Sequence, residues 1–237
     1  MRTGLDLNCD MGESFGIYRY GADQEMMPLI TSANIACGFH GGDARVMRET
    51  AALARAYGVR VGAHIGLPDR EGFGRRFMQM SPNEVYEISL YQLGALEAFL
   101  RVEGMTMAHV KLHGALYMMA AGDKELSDAF AEAVHAFNPL LSVYTLPGCE
   151  TVTSASRLGL NVVYEYFADR PYTSGKVKMF GWTPEEIGSP TEIAARVAVM
   201  LEDPAYADIG TICVHSDTNG APAIMGAIRD RVTQEAL

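Results

Sequence analysis

Short apolar runs alternate with longer amphipathic stretches along the whole chain. The runs at residues 4–9, 29–36, 59–64, 107–112, 141–146, 161–167 and 210–215 have the length and β-branched content of strands. Between them, residues 43–57, 82–102, 124–137, 149–158, 191–201 and 222–233 carry helical spacing. Ser81, Pro82 and Glu84 make a capping-box start, and Gly58, Gly104 and Gly159 stand where helices should stop. Regular alternation of this kind predicts a mainly parallel sheet covered by helices. The rhythm is even enough to predict one domain over residues 1–237, with about seven β/α units and no clear eighth. Residues 168–190 break it and read as a long functional loop.

Polarity within the strands decides between an open sheet and a barrel. Side chains alternate faces, so Asp6, Asn8 and Asp10 share one face of the first strand and Leu5, Leu7 and Cys9 the other. Met107, His109, Lys111 and His113 align in the fourth strand, Val163, Glu165 and Phe167 in the sixth, and Thr211, Cys213, His215 and Asp217 in the last. An open doubly wound sheet is apolar on both faces. A polar face opposite an apolar one predicts a closed or nearly closed barrel, with its polar residues inward and its active site on one rim.

Reactive residue types recur where the runs end. Asp10 and Glu13 follow the first, His40 and Asp43 the second, and His64, Asp69 and Arg70 the third. Lys111 and His113 close the fourth, and His215 and Asp217 the last. Acids gathered inside a barrel are costly unless paired, so they read as a cation site or a general base. Gly38, Gly41 and Gly42 allow backbone to approach a ligand, and Asp43 suits a helix cap. Lys111 is expected to face the barrel mouth unpaired in the empty site, ready for an anion. His109 lies deeper and reads as a satisfied core histidine, and His135 sits on a helix without a role. Glu71 and one of the arginines Arg70, Arg75 and Arg76 fit a solvated ion-pair network at least as well as a site. Trp182 reads as packing or interface material.

Composition narrows the class. The 49% hydrophobic and 20% charged content is that of a soluble globular protein. A net charge of −10 argues against nucleic acid and against an anionic membrane surface. The four cysteines, Cys9, Cys37, Cys149 and Cys213, form no CxxC and fit a reducing cytoplasm. The first residues lack the pattern of a signal peptide, and no apolar run is long enough to span a bilayer. GxxxxGK[ST], GxGxxG after the first strand, HExxH and GxSxG are all missing, which removes most weight from hydride-transfer and serine-hydrolase readings.

Taken together, DLNCDMGESFG, SANIACGFHGGD, GFGRR and HGALY resemble the LamB/YcsF family, the A subunits of 5-oxoprolinase, over nearly the whole chain. The resemblance implies a parallel seven-stranded (β/α) barrel, TIM-like and distorted, similar to the glycoside hydrolase/deacetylase superfamily. It also implies ATP-dependent opening of 5-oxoproline to glutamate together with two other subunits. The family's polar positions fall on Asp6, Asn8, Asp10, Glu13, Asn34, His40, His64, Lys111, His113, Arg170, His215 and Asp217. Some shaping positions depart from the family pattern: Ile65, Leu112 and Pro171, Asn219 in HSDTNGA, and residues 174–187. A related lactam is therefore an alternative substrate.

In this reading Asp10 is the general base, oriented by His215 or His113, with Glu13 and Asp217 as secondary candidates, acting through a divalent cation such as Mg that accompanies ATP. Lys111 binds an anion with Arg70 or Arg170, and Asn8, Asn34, His40 and His64 complete the substrate site. Two alternatives stay open. One is a deacetylase-like amide hydrolase without ATP, its metal on Asp10, His40 and His64. The other is a non-catalytic subunit that binds substrate for its partners.

Overall fold

Alternating strand polarity produces the barrel that it predicts. The computed structural model describes residues 5–173 and 176–234. In chain order the strands are β1 (Asp6–Met11), β2 (Ser32–Ala36), β3 (Arg60–Ile65), β4 (Met107–Leu112), β5 (Ser142–Thr145), β6 (Asn161–Phe167), β7 (Tyr172–Thr173), β8 (Lys176–Val177) and β9 (Ile209–Cys213). All but β7 and β8 form a closed parallel barrel in the order β1-β2-β3-β4-β5-β6-β9. Closure comes from β1, which pairs Asp10 with Asn34 of β2 on one side and Asp6 with Thr211 of β9 on the other. The first predicted run begins at Gly4, outside the described residues.

The helices are α1 (Asp23–Met26), α2 (Ala44–Tyr57), α3 (Pro82–Val102), α4 (Gly114–Gly122), α5 (Lys124–Phe137), α6 (Glu150–Arg157), α7 (Pro184–Ile187), α8 (Pro190–Glu202) and α9 (Ala221–Gln234). None of them is long and apolar enough to cross a membrane, among the described residues. The Ser81–Glu84 capping box is present at the start of α3, worth about 1 kcal/mol. Asp43 caps α2 by accepting the Val46 amide, and Gly58 ends that helix in the left-handed region at φ 68°.

Three departures from the sequence expectation have clear local reasons. Helix α4 has no counterpart in the sequence reading: it is short, and Ala115, Leu116, Tyr117, Met119 and Ala120 are all buried, so it shows no polar stripe. The second strand starts at Ser32 because Met27–Leu29 form a 3₁₀ turn. The last strand ends at Cys213, which leaves His215 in the loop beyond it. Within the irregular 168–190 segment, β7 and β8 pair antiparallel and α7 forms a single turn.

Apolar residues lie between the barrel and the helices, where Leu7, Cys9, Met11, Ile35, Val61, Ala63 and Ile65 join Met47, Ala51, Leu93 and Leu96 in the core. The barrel interior is polar. At its lower end Asp6 accepts hydrogen bonds from Thr31 (2.5 Å), Ser32 (2.7 Å) and Thr211 (2.7 Å), and Arg60 reaches it at 2.7 Å. Above this floor, His109 Nε2 bonds Asn34 Oδ1 at 2.7 Å and its ring stacks on Tyr144. Gly62 makes room for that ring: a Cβ there would sit 2.3 Å from it. Burial pushes the His109 pKa down to about 3, so it is neutral, and its Nδ1 has no partner among the described residues.

Candidate active site

The upper end of the barrel gathers side chains from nearly every strand. Asp10 and Glu13 come from β1 and the turn after it, His40 from the loop after β2, and His64 from β3. Lys111 and His113 come from β4 and its end, Glu165 from β6, and His215 from beyond β9. Asp10 accepts from Asn34 Nδ2 at 2.9 Å and lies 3.2 Å from both His64 Nε2 and Lys111 Nζ. His215 Nε2 is 3.8 Å from Asp10, and its Nδ1 is fixed by Asp169 at 2.9 Å. Glu13 stands 3.2 Å from His40 Nε2 and 3.6 Å from His113 Nδ1.

Most of these groups titrate away from their ordinary values. Burial opposes ionisation of Asp10, but His64, Lys111 and His215 outweigh it and hold the carboxyl well below the usual range. Burial, together with the charges of Asp10 and Asp217, lifts Glu13 well above it. Two adjacent carboxyls driven apart in this way suit acid and base roles. Burial also lowers the pKa of His40 and of His113, so both rings are neutral. Burial works against the Lys111 ammonium, yet Asp10, Cys213 and Glu165 more than compensate and raise its pKa.

Lys111 departs from the sequence expectation. Its ammonium is not an unpaired cation: Glu165 lies 2.7 Å away, and Asn8 Oδ1 accepts from it at 3.4 Å. A buried lysine at a carboxylate needs such a partner to stay charged. Strand alternation aligns Glu165 inward but gives it no role, and its parity with the inward lysine is the one signal the sequence holds for the pair.

Above this layer lies a cavity of about 200 Å³, whose lining includes Asp10, His64, Arg75, Lys111, His113, Arg170 and His215. Met179, Phe180 and Trp182 from the irregular segment form its outer wall, and the Arg170 guanidinium lies 4.7 Å over the Trp182 ring. Trp182 is therefore wall material of the site. Asp217 sits between two arginines, 2.5 Å from Arg75 and 3.9 Å from Arg170, and so positions them. Burial opposes ionisation of Asp169, but His215 and Arg170 outweigh it and keep the carboxylate charged.

Some candidate residues lie off the cavity lining. Asn8 and Asn34 form the layer beneath Asp10, with Asn34 Nδ2 donating to Asn8 Oδ1 at 2.8 Å. His40 stands behind Glu13. Arg70 is exposed and donates to the carbonyls of Gly38 and Gly42, bracing that loop. Arg75 takes the position at the cavity expected of Arg70. Arg76, itself exposed, pairs with the buried Asp69 and the exposed Glu71. All four cysteines are free thiols. The donor groups fall into two sets, Glu13 with His40, His64 and His113, and Asp10 with Cys213 and His215.

Residues 5–237 match the model of the LamB/YcsF family. The chain belongs to that family. It is 47% identical to the A subunit of 5-oxoprolinase from Bacillus subtilis, with 96% of this chain and 91% of the relative covered. It is 46% identical to the protein of the same name from Thermus thermophilus, with 98% and 97% covered. The solved structure of a lactam utilization protein from Thermus thermophilus superposes with a TM-score of 0.91 at 43% identity, covering 99% of this chain and 98% of that one. The LamB/YcsF fold in this chain is thus the seven-stranded barrel that the strand polarity predicts.

Proposed function

We propose that this chain hydrolyses the ring amide of 5-oxoproline, or of a closely related lactam, as the A component of an ATP-dependent complex with two other subunits. The observation that carries this reading is a small cavity lined by two arginines together with an ionised aspartate and a fixed histidine. Arg75 and Arg170 suit a carboxylate, which planar guanidinium groups bind in fork geometry. A cavity of about 200 Å³ suits a molecule of amino-acid size. The relatives, named as the A subunit of 5-oxoprolinase and as a lactam utilization protein, support the same substrate class.

In this mechanism Asp10 takes a proton from water as the hydroxide adds to the lactam carbonyl carbon. The ring C–N bond then breaks, and the proton passes through His215 to the departing nitrogen. Lys111 holds Asp10 ionised, and Asp169 fixes the His215 ring so that Nε2 faces the reaction. The product is the open amino acid, L-glutamate in the case of 5-oxoproline.

An unstrained five-membered lactam resists opening near neutral pH, which is where ATP coupling belongs. The cavity does not fit ATP as a resident of this chain. Its volume leaves no room for a nucleotide beside a lactam, and the sequence lacks a P-loop. The nucleotide is assigned to the partner subunits.

The test is 5-oxoproline-dependent ATP hydrolysis by the chain alone and by the chain with both partners. Turnover only in the assembled enzyme is the expected result. Turnover by the lone chain would overturn the complex, and an inert complete assembly would overturn the substrate.

A further inference from the structure

We infer that His64, His113 and Glu13 form a binding site for one divalent transition-metal ion, with Asp10 beside it. The inference deepens the hydrolytic reading of this same site and rests on it only for what the ion is for.

Backbone carbonyls orient both imidazoles. A neutral imidazole has one N–H. His113 donates its own from Nε2 to the Phe73 carbonyl at 2.8 Å, so its Nδ1 is a bare lone pair. The His64 Nδ1 donates to the Lys111 carbonyl at 3.3 Å, which leaves Nε2 as that ring's ligand atom. The two ring nitrogens face each other across 3.0 Å. Two carboxyl groups lie beside them. Asp10 Oδ2 is 3.2 Å from His64 Nε2, and Glu13 Oε1 is 3.6 Å from His113 Nδ1 and 3.9 Å from His64 Nε2. Two imidazole nitrogens and two carboxylate oxygens thus gather around one point, the donor set of a divalent cation.

Spacing and orientation fit a metal ion. Ligand atoms each about 2.0–2.1 Å from one ion stand roughly 3.0–3.5 Å apart. The His64 and His113 rings lie at 87° to each other, so their in-plane lone pairs can converge on one point. His40 is placed differently. Its ring stacks on His113 with centroids 3.7 Å apart and planes 7° from parallel. Lone pairs lying in parallel planes do not meet, so His40 is a support that holds Glu13 at 3.2 Å. The donor set therefore differs from the trio Asp10, His40 and His64 expected from sequence.

The surroundings have the features of a metal centre. Each of these nitrogens belongs to a ring whose other nitrogen donates to a backbone carbonyl, which fixes the ring's orientation. Phe73, which supplies one of those carbonyls, is the one non-glycine residue with positive φ (55°) among the described residues. Such backbone is costly and persists where the surroundings impose it. His64, His113 and Asp10 line the cavity, so the ion has a route in. Two imidazoles and a carboxylate select zinc, cobalt, iron or manganese over magnesium, which prefers oxygen ligands in an octahedron.

The test uses the full chain, stripped with chelator and titrated with Co²⁺ while visible absorption, bound metal and thermal melting are followed. One Co²⁺ per chain with ligand-field bands, displaced by Zn²⁺, is expected. His64→Asn and His113→Asn should each abolish the bands. Phe73→Gly keeps both ligands but frees the carbonyl, and should weaken affinity about 10–100-fold at unchanged stoichiometry. His135→Asn, on α5, should bind as the parent does and controls for stray histidine binding. A folded parent that gives no bands, or bands that survive in both ligand variants, would overturn the site and leave a shared proton as the occupant. If a ligand variant fails to fold, Phe73→Gly decides: parental affinity overturns the site. A Co²⁺-loaded chain whose full assembly is inert on 5-oxoproline would overturn the lactam reading and leave the metal site standing.

Discussion

Asp6 and Asp10 lie on the same inward face of β1, one at each end of the barrel, and they do opposite work. Asp6 is saturated by neutral hydroxyls of Thr31, Ser32 and Thr211, with Arg60 from the rim. Nothing around it is left to react. Asp10 is surrounded by titratable groups, with His64, Lys111 and His215 all within 4 Å. One acid fastens strands together, and the other faces groups that can themselves exchange protons. The difference shows that burial and ionisation do not mark a functional acid. What marks it is whether its neighbours have spent their hydrogen-bonding capacity.

The comparison can be broken most sharply at Asp10. Asp10→Asn keeps the shape but removes the base, and turnover of the assembled enzyme should fall about 10²–10⁴-fold. Near-parental turnover would put Asp10 in the same class as Asp6. Lys111→Met leaves Glu165 as an uncompensated buried charge and should cost about 3–5 kcal/mol of stability in denaturant unfolding. A variant with parental stability would mean that the Lys111–Glu165 pair adds nothing to the fold.

A smaller effect is expected at the other end. Asp6→Asn should cost about 1–3 kcal/mol while turnover of the assembled enzyme stays within about twofold. A large loss of rate in a stable Asp6→Asn protein would join the two layers into one site. The sign of its pH dependence follows from its environment. Burial opposes ionisation of Asp6, but the three hydroxyls and Arg60 outweigh it and lower its pKa. Its contribution is therefore present above about pH 4, the unfolded value, and is lost as pH falls.

Asp23 supplies the opposite sign. It accepts the Gly12 amide at 2.9 Å, and burial pushes its pKa up to about 6. Its folded state prefers the proton, so its contribution is best below about pH 4 and declines as pH rises to about 6. Asp23→Asn should raise the melting temperature at pH 8 by an amount worth about 1–3 kcal/mol and leave it nearly unchanged at pH 4. Equal shifts at the two pH values would remove this assignment.

Strand polarity made the barrel legible, because Asp6, Asn8 and Asp10 alternate with Leu7 and Cys9, and His109 and Lys111 with Val110 and Leu112. The strand-end rule found Asp10, His64, His113 and His215, all of which line the cavity. Partnerships were not legible, because they join residues far apart in the chain. Nothing local to Lys111 announces Glu165, and nothing local to His215 announces Asp169. Arg70 and Arg75 illustrate the same limit: both stand on one loop, yet only Arg75 lines the cavity. Helix α4 escaped because a segment buried all round has no amphipathic period to read.

Closure of the barrel through β1 sets when the site exists during folding. Asn8 bonds Glu165 and Thr211 across sequence separations of 157 and 203 residues. Contacts of such range form slowly, since loop-closure entropy must be overcome before they stabilise anything. On the ribosome, β1 emerges first and waits for the strand that completes its pairing, with one edge open and its acids hydrated. The rim becomes a dry, charge-paired site only when β9 docks, so the residues around Asp10 are assembled by the last strand of the barrel.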